Sequence, residues 1–185
     1  KSAENMAHSY SHLFNLPITI FRLFTVYGPW GRPDMAPFKF TKAIFDNHSI
    51  DIYNYGDMSR DFTYIDDLVT GIRLLIDTVP NSSEDRESNF GLENINSEVS
   101  SYRVVNIGNS KPEKLLDFIE VIEKIVGKKA IRNLLPMQAG DVKATWADTS
   151  LLKYLTGYQP GTDLFEGTEK FVSWYRDYYN VWIKK

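Results

Sequence analysis

The N-terminal part of the sequence combines a helical pattern with a run of apolar residues that favour a β-strand. Met6, Tyr10 and Leu13 recur at helical spacing, and a proline ends the pattern. Residues 18–24 (ITIFRLF) then predict a buried strand, because β-branched and aromatic side chains fill the run. A helix followed at once by such a strand is half of an α/β unit. We therefore expect an α/β fold with a parallel sheet, and we expect earlier strands of that sheet to precede Lys1.

Composition and charge restrict the class of protein further. Of the 185 residues, 43% are hydrophobic and 24% charged, which excludes collagen-like, low-complexity and wholly disordered chains. The net charge of −3 offers no basic surplus for nucleic acid, and no apolar run reaches the roughly 18 residues of a membrane span. The absence of cysteine removes disulfides and thiolate metal sites, and it fits a cytoplasmic protein. We expect neither a nucleic-acid nor a membrane partner.

The next part of the chain alternates between loops, short strands and helices. Residues 25–35 hold two glycines and two prolines, which predicts a loop. The patterns that follow predict a helix from Pro37 to about residue 47, a short strand over 50–55, an extended piece over 62–65 and a helix capped by Asp66.

The C-terminal half begins with a segment of a different character. Residues 80–101 are polar and without periodicity, so we expect a mobile surface excursion there. The patterns beyond it predict a strand over 104–108, a helix over 113–126 capped by Gly127, a short helix from Asp148 to before Gly157 and an aromatic helix over 162–182.

Common catalytic and metal-binding patterns are missing from the sequence. His8 and His12 stand one helical turn apart, but no third ligand is evident, so we expect packed or solvated histidines and no metal. No G-x-G-x-x-G motif occurs, and we therefore place any dinucleotide phosphate site outside this sequence.

Three segments carry a functional signal together. The strand at 22–24 runs directly into the Gly/Pro loop TVYGPWGRPDM, and ligands of open α/β sheets bind at such strand ends. The second segment is YNYGDMSRDFTYIDD at 53–67, and the third combines Gly140-Asp141-Val142 with the later TWAD and GYQP. With these segments, the chain resembles the C-terminal half of the extended short-chain dehydrogenase/reductase family, the nucleotide-sugar epimerases and dehydratases. Only residues 80–101 lie outside the resemblance.

The resemblance implies a fold and an activity. The fold would be the C-terminal part of a Rossmann-type NAD(P)-binding domain, with its last helix and strand in 1–26. A small mixed α/β substrate-binding domain would follow in 27–185, with returns to the main sheet. Within the family, the loop and the Arg-Asp-Phe segment are most similar to members that interconvert UDP-glucuronate and UDP-galacturonate through a 4-keto intermediate. A dehydratase or decarboxylase of the same family and a non-catalytic UDP-sugar binding module remain alternatives.

The family's catalytic pair and cofactor would lie mostly outside this sequence. In the family a Tyr-x-x-x-Lys pair precedes a Glu that follows the Lys by four residues, and Glu4 matches that Glu. The catalytic Lys would then stand just upstream of Lys1, leaving no catalytic residue in this chain; a slip of one residue would make Lys1 the catalyst. The cofactor would be NAD, bound mainly by the preceding half, with Phe24 and Tyr27 as contacts in this chain.

The resemblance also implies which residues bind the sugar. Thr25, at the strand end, would donate to a sugar oxygen or the carboxylate, and Arg32 and Lys39 would supply positive charge there. The 4-keto form of a glucuronate is a β-keto acid that readily loses carbon dioxide. An epimerase must therefore hold the carboxylate with fixed polar groups.

Arg60 would bind the diphosphate with its guanidinium fork, unless it pairs with Asp61 or Asp66 instead. Ile52 and Tyr53 would meet the uracil ring. Asp141 would bond the ribose or the main chain, and Gln138 stands where related galactose epimerases carry a second phosphate-binding Arg. The partners would be a UDP-sugar and a second copy of the chain, which would pack through the first helix in a two-fold dimer.

Overall fold

The computed structural model describes residues 1–80, 97 and 99–181, which form a mixed α/β fold. The helices are α1 (Ser2–Phe14), α2 (Ala36–Asp46), α3 (Ile65–Ile76), α4 (Leu115–Val126), α5 (Ser150–Thr156) and α6 (Leu164–Tyr179). The strands are β1 (Ile18–Leu23), β2 (Thr25–Tyr27), β3 (Ser49–Ile52), β4 (Ser59–Tyr64), β5 (Tyr102–Ile107), β6 (Pro112–Lys114) and β7 (Ile131–Leu134).

The described strands pair in three small sheets, and the predicted α/β class is confirmed. β1 pairs with β5 in parallel, and β3 pairs with β7 in parallel. In the third sheet the central β4 is parallel to β2 and antiparallel to β6. Pairing between strands far apart in the sequence brings distant segments side by side, as in other α/β folds.

Two features of the first strands differ from the sequence prediction. The run 18–24 is not a buried strand: β1 is half-exposed, and the side chain of Leu23 is 50% exposed. The reason is that β1 is hydrogen-bonded to β5 alone among the described residues. The predicted loop begins instead with β2, because Thr25, Val26 and Tyr27 pair with residues 62–64 of β4.

Other boundaries shift for local reasons. β3 ends at Ile52 because the chain turns over Tyr53–Gly56, where Asn54 and Tyr55 adopt left-handed positive φ angles. Asp66 does not cap α3, which begins at Ile65, so Asp66 lies in its first turn. Residues 112–114 are drawn into β6 by pairing with β4, which delays the start of α4, and β7 was not predicted.

The remaining helix predictions are confirmed over the described residues. Pro37 lies in the first turn of α2, and Gly127 ends α4 with a φ of 79°. α5 starts after Asp148, whose carboxylate accepts from Ser150 N at 3.0 Å. Most of the predicted excursion at 80–101 lies outside the described residues. The predicted helix over 162–182 is longer than α6, which begins after its cap Asp163 and ends before Asn180, where a φ of 52° stops the helix.

The described residues form two apolar core clusters. The larger one packs α2, α4 and α6 against β3 and β4, with buried aromatic residues such as Phe118 and Phe171 at its centre. The smaller one packs α3 and α5 against β5, around Val105 and Ile107. The division of the chain at residue 26 into two domains stays a prediction.

His8 and His12 lie on α1, one helical turn apart. His8 Nε2 shares a 2.7 Å hydrogen bond with Ser97 Oγ, and His12 Nδ1 lies 3.0 Å from the carbonyl oxygen of Val99. Both rings therefore contact the segment just before β5.

Within the described ranges, no helix combines the length and apolar character needed to cross a bilayer.

Candidate functional site

A cavity of about 190 Å³ lies where β2, β4 and the start of α2 meet. Four predicted site residues line it together: Thr25, Tyr53, Arg60 and Asp141. They come from four separate segments, so the fold itself assembles the site. The parallel pairing of β2 with β4 sets Thr25 opposite Phe62, two residues beyond Arg60 and therefore on the same face of the strand.

Apolar side chains form the rest of the cavity wall, and the sequence analysis did not single them out. They are Met35, Ala36, Pro37, Phe40, Met58, Phe62 and Leu115, with Asp51 as a further polar neighbour. The four-residue spacing between Ala36 and Phe40 on α2 was the available signal. It indicates an inward helix face but not a cavity beneath it.

Arg60 is held at the cavity by three hydrogen bonds. Its Nη1 donates to the carbonyl oxygens of Ser59 at 2.8 Å and Lys143 at 3.3 Å, and its Nη2 donates to Asp141 Oδ1 at 2.7 Å. The expected alternatives, a pair with Asp61 or Asp66, are wrong. Three of the five guanidinium N–H groups are used within the described residues, which leaves two donors for a ligand.

Asp61 lies next to Arg60 in β4 but on the opposite face of the strand. Its carboxylate has no exposed surface and accepts backbone hydrogen bonds from Asn109, Ser110 and Ala147 at 2.8–2.9 Å. The side chain therefore joins β4 to two loops. It serves the framework of the site and not the cavity.

A larger hollow of about 530 Å³ adjoins the first, since Asp51 and Tyr53 line both. Lys39 lines this second hollow. Arg32 lines neither hollow: it is exposed and binds Asp34 through two hydrogen bonds, at 3.1 and 2.5 Å. This pairing raises the pKa of Arg32 and lowers that of Asp34. The structure thus places Lys39 in the hollow that adjoins the cavity of Thr25, whereas Arg32 lines neither.

Ile52 and Tyr27 lie in the core. Ile52 has no exposed surface, and its carbonyl oxygen accepts from Leu135 N at 2.9 Å. The ring of Tyr27 is 2% exposed, and its hydroxyl faces Gly167, where a Cβ atom would have no room. Burial, together with the charges of Asp163 and Asp67, raises the pKa of the Tyr27 hydroxyl.

Phe24 and Tyr27, the predicted cofactor contacts, do not form a site for a dinucleotide phosphate. The predicted contact of Tyr27 with a cofactor does not fit its position, because the side chain packs against α6 in the core. Phe24 is half-buried in the junction between β1 and β2. Within the described residues, neither side chain offers a polar group to a cofactor phosphate.

The comparisons with known proteins agree with the fold and with the motifs. A family model described as the NAD dependent epimerase/dehydratase family matches residues 2–91. A probable UDP-glucuronate 4-epimerase of Rhizobium meliloti is 52% identical over 97% of this chain. Protein CapI of Staphylococcus aureus is 49% identical over 97% of this chain.

The N-terminal half of the chain thus matches the NAD dependent epimerase/dehydratase family.

A solved structure extends this likeness to three dimensions. The UDP-glucuronic acid 4-epimerase of Bacillus cereus, in complex with UDP-glucuronic acid and NAD, is 35% identical and superposes with a TM-score of 0.79. The superposition covers 96% of this chain and 51% of that one. The chain likewise spans 52% of the Rhizobium protein and 53% of CapI, about half the length of the curated relatives it matches.

Proposed function

We propose that the chain is the substrate-binding portion of an NAD-dependent epimerase that interconverts UDP-glucuronate and UDP-galacturonate through a 4-keto intermediate. The observation that carries the proposal is the position of Arg60. A mostly buried guanidinium with two unused N–H donors lines a cavity beside a strand end, together with Thr25 and Tyr53. The identities to UDP-glucuronate 4-epimerases of bacteria and Arabidopsis support the choice of substrate.

In this proposal, Arg60 binds the diphosphate. A guanidinium presents parallel N–H groups that match two phosphate oxygens, and it keeps its charge at all physiological pH values. The side chain of Arg60 is only 18% exposed, so little solvent screens that charge. Tyr53, which lines both hollows, lies where it can contact the base or the ribose.

Thr25 and Lys39 bind the sugar and its carboxylate. Thr25 offers a hydroxyl at the strand end, and Lys39 offers an ammonium group from the first turns of α2. Arg32 would join them only by leaving Asp34. That exchange is accessible because both side chains are exposed, so solvent screens the attraction between the two charges. Held this way, the carboxylate stays out of alignment with the 4-keto group, which suppresses decarboxylation.

The proposal assigns the remaining chemistry to sequence N-terminal to this chain. NAD, when bound, accepts and returns the hydride of the sugar C4. A Tyr-x-x-x-Lys pair upstream of Lys1 would exchange the proton of the sugar hydroxyl. The described residues hold and orient the UDP-sugar, and we derive no hydride step from them.

The finer assignments concern assembly and location. α1 exposes Met6, Tyr10, Leu13 and Phe14, each at least 52% accessible, along its outer side. An exposed apolar helix face of this kind suits an isologous contact with a second copy, and we propose a homodimer.

We place the protein in the cytoplasm, consistent with a cysteine-free chain. The likeness to CapI supports a role in capsule polysaccharide synthesis.

Product analysis tests the proposal directly. The whole protein is incubated with UDP-glucuronate and NAD, and the products are followed by proton NMR. An equilibrium mixture of UDP-glucuronate and UDP-galacturonate is expected. Conversion to a UDP-pentose with release of carbon dioxide would identify a decarboxylase instead. Binding of UDP without any turnover would identify a binding module.

A further inference from the structure

The segment from Gln138 to Thr145 is fastened to β4 beside the cavity. Ser59 N donates to the carbonyl oxygen of Lys143 at 2.9 Å, and Thr145 N donates to that of Ser59 at 3.2 Å. At the other end of the segment, Asp141 N donates to Gln138 O at 3.2 Å, and Gly140 has a φ of 83°. The backbone thus forms a tight turn at Asp141 and a ladder at Lys143.

The turn places the Asp141 carboxylate on Arg60. A single oxygen, Oδ1, accepts from the backbone N–H of Val142 at 2.8 Å and from Arg60 Nη2 at 2.7 Å. The two side chains are 35% and 18% exposed, so the pair is partly withdrawn from water. Because the turn's own backbone fixes the carboxylate, the carboxylate in turn fixes the guanidinium.

We propose that Asp141 is a positioning residue for diphosphate binding, which holds the Arg60 guanidinium in the orientation that presents its two unused N–H groups to the cavity. This inference rests on the proposed function. A long Arg side chain loses rotamer freedom when it binds a ligand, and fixing it beforehand removes part of that cost. The hydrogen bonds to Ser59 O and Lys143 O hold Nη1, and Asp141 alone holds Nη2 among the described residues.

An opposite role is also conceivable for a carboxylate at this place. Asp141 could compete with the diphosphate for Arg60 and repel it. The two roles predict opposite signs: removing a positioning group weakens the binding of UDP, whereas removing a competitor strengthens it. Uridine separates both from general damage to the site, because it fills the base and ribose positions without touching a diphosphate-binding Arg.

The test compares UDP and uridine binding to Asp141→Ala and Asp141→Asn by calorimetry and NMR titration. Asp141→Ala is expected to weaken UDP binding about tenfold, the effect of one charge-assisted hydrogen bond. Asp141→Asn keeps an oxygen for Nη2 and is expected to recover most of the loss. Uridine affinity should stay unchanged in both variants, and Asp141→Ala should cost nothing more in an Arg60→Ala background.

Asp57→Ala is the matched control. Asp57 forms an exposed 2.7 Å ion pair with Lys143 of the same segment but does not contact Arg60, so UDP affinity should be unchanged. Tighter UDP binding by Asp141→Ala, or equal losses for UDP and uridine, would overturn the inference while leaving UDP binding by Arg60 intact. A whole wild-type protein that binds no UDP would overturn both the inference and the proposed function.

Discussion

Asp61 and Ala147 lie 86 residues apart in the sequence, and the backbone N–H of Ala147 donates to the Asp61 carboxylate at 2.9 Å. The same oxygen accepts from Ser110 N at 2.9 Å, and the other oxygen accepts from Asn109 N at 2.8 Å. One buried carboxylate therefore fastens both loops to the strand that carries Arg60. Arg60 and Asp61 are neighbours in β4, so the hydrogen bonds of Asp61 also hold the part of the strand that presents Arg60 to the cavity.

We expect Asp61→Asn to lower the free energy of unfolding by about 2–3 kcal/mol, because hydrogen bonds to a charged acceptor are lost. The amide also sets an NH₂ group against a backbone N–H in place of an acceptor. Urea unfolding measures the change. Asp46→Asn, which removes an exposed ion pair with Lys42, is the control and should change stability by less than about 0.5 kcal/mol. Equal stability of the two variants would contradict the role of Asp61.

Asp67 gives the fold a dependence on acid. Burial raises its pKa, but hydrogen bonds from Thr162 N, the Tyr158 hydroxyl and Gly161 N outweigh burial and leave the pKa below its ordinary value. Its contribution to stability is therefore present above the unfolded pKa of about 3.9 and is lost as the pH falls through the lower folded pKa. The free energy of unfolding of the wild type and of Asp67→Asn is measured at pH 7 and at pH 3. The difference between the two proteins should be smaller at pH 3. A difference that is the same at both pH values would contradict this assignment.

Thr25→Val should turn part of the turnover into decarboxylation. The variant keeps the shape of the side chain but removes the hydroxyl that we assign to the sugar or its carboxylate. The keto intermediate then has more freedom to align its carboxylate for loss of carbon dioxide. Analysis of the whole protein's products should reveal a UDP-pentose beside the epimer. Ser59→Ala, altered on β4 outside the cavity lining, is the control. A slower Thr25→Val enzyme that forms no pentose would remove Thr25 from this role.

Leu13→Glu should weaken self-association at least about tenfold, since it places a charge in an apolar contact. Leu13 is 70% exposed on α1, so the substitution leaves the fold of the chain intact. Sedimentation velocity of the wild type, Leu13→Glu and Ile131→Glu measures the effect. Ile131 is 56% exposed on β7, away from the helix, and should have no influence. A wild-type protein that stays monomeric at high concentration would contradict the proposed dimer.

The elements that the sequence predicted well are those with long patterns or strong end signals. α1, α2 and α4 repeat their apolar residues over several turns, and Gly127 marks an end that needs a positive φ. β2 and β7 have only three and four residues, too few to show a period. Their conformation comes from pairing with β4 and β3, which local sequence does not reveal.

The candidate site was likewise predicted in part: the sequence indicated several of its residues but not the contacts between them. The motifs around Thr25 and Arg60 indicated which residues belong together, and the pairing of β2 with β4 brings them to one cavity. The partner of Arg60 was not predictable, because Asp141 lies 81 residues away on a loop without periodicity. Ile52 and Tyr27 are the opposite case: they lie in the core, and their contacts with uracil and the cofactor stay predictions. Their neighbourhood in the sequence suggested ligand contacts, whereas the alternation of side chains turns both towards the core.

Binding of UDP to Arg60 is the central claim, and one calorimetric titration tests it most directly. UDP is titrated into the whole wild-type protein and into its Arg60→Ala and Arg22→Ala variants. Arg22 is a half-exposed guanidinium that binds Glu4 on α1 and serves as the matched control. We predict that Arg60→Ala loses about 1.5–3 kcal/mol of binding free energy, the contribution of hydrogen bonds to a charged group, while Arg22→Ala binds as the wild type does. An unchanged dissociation constant for Arg60→Ala would contradict the account.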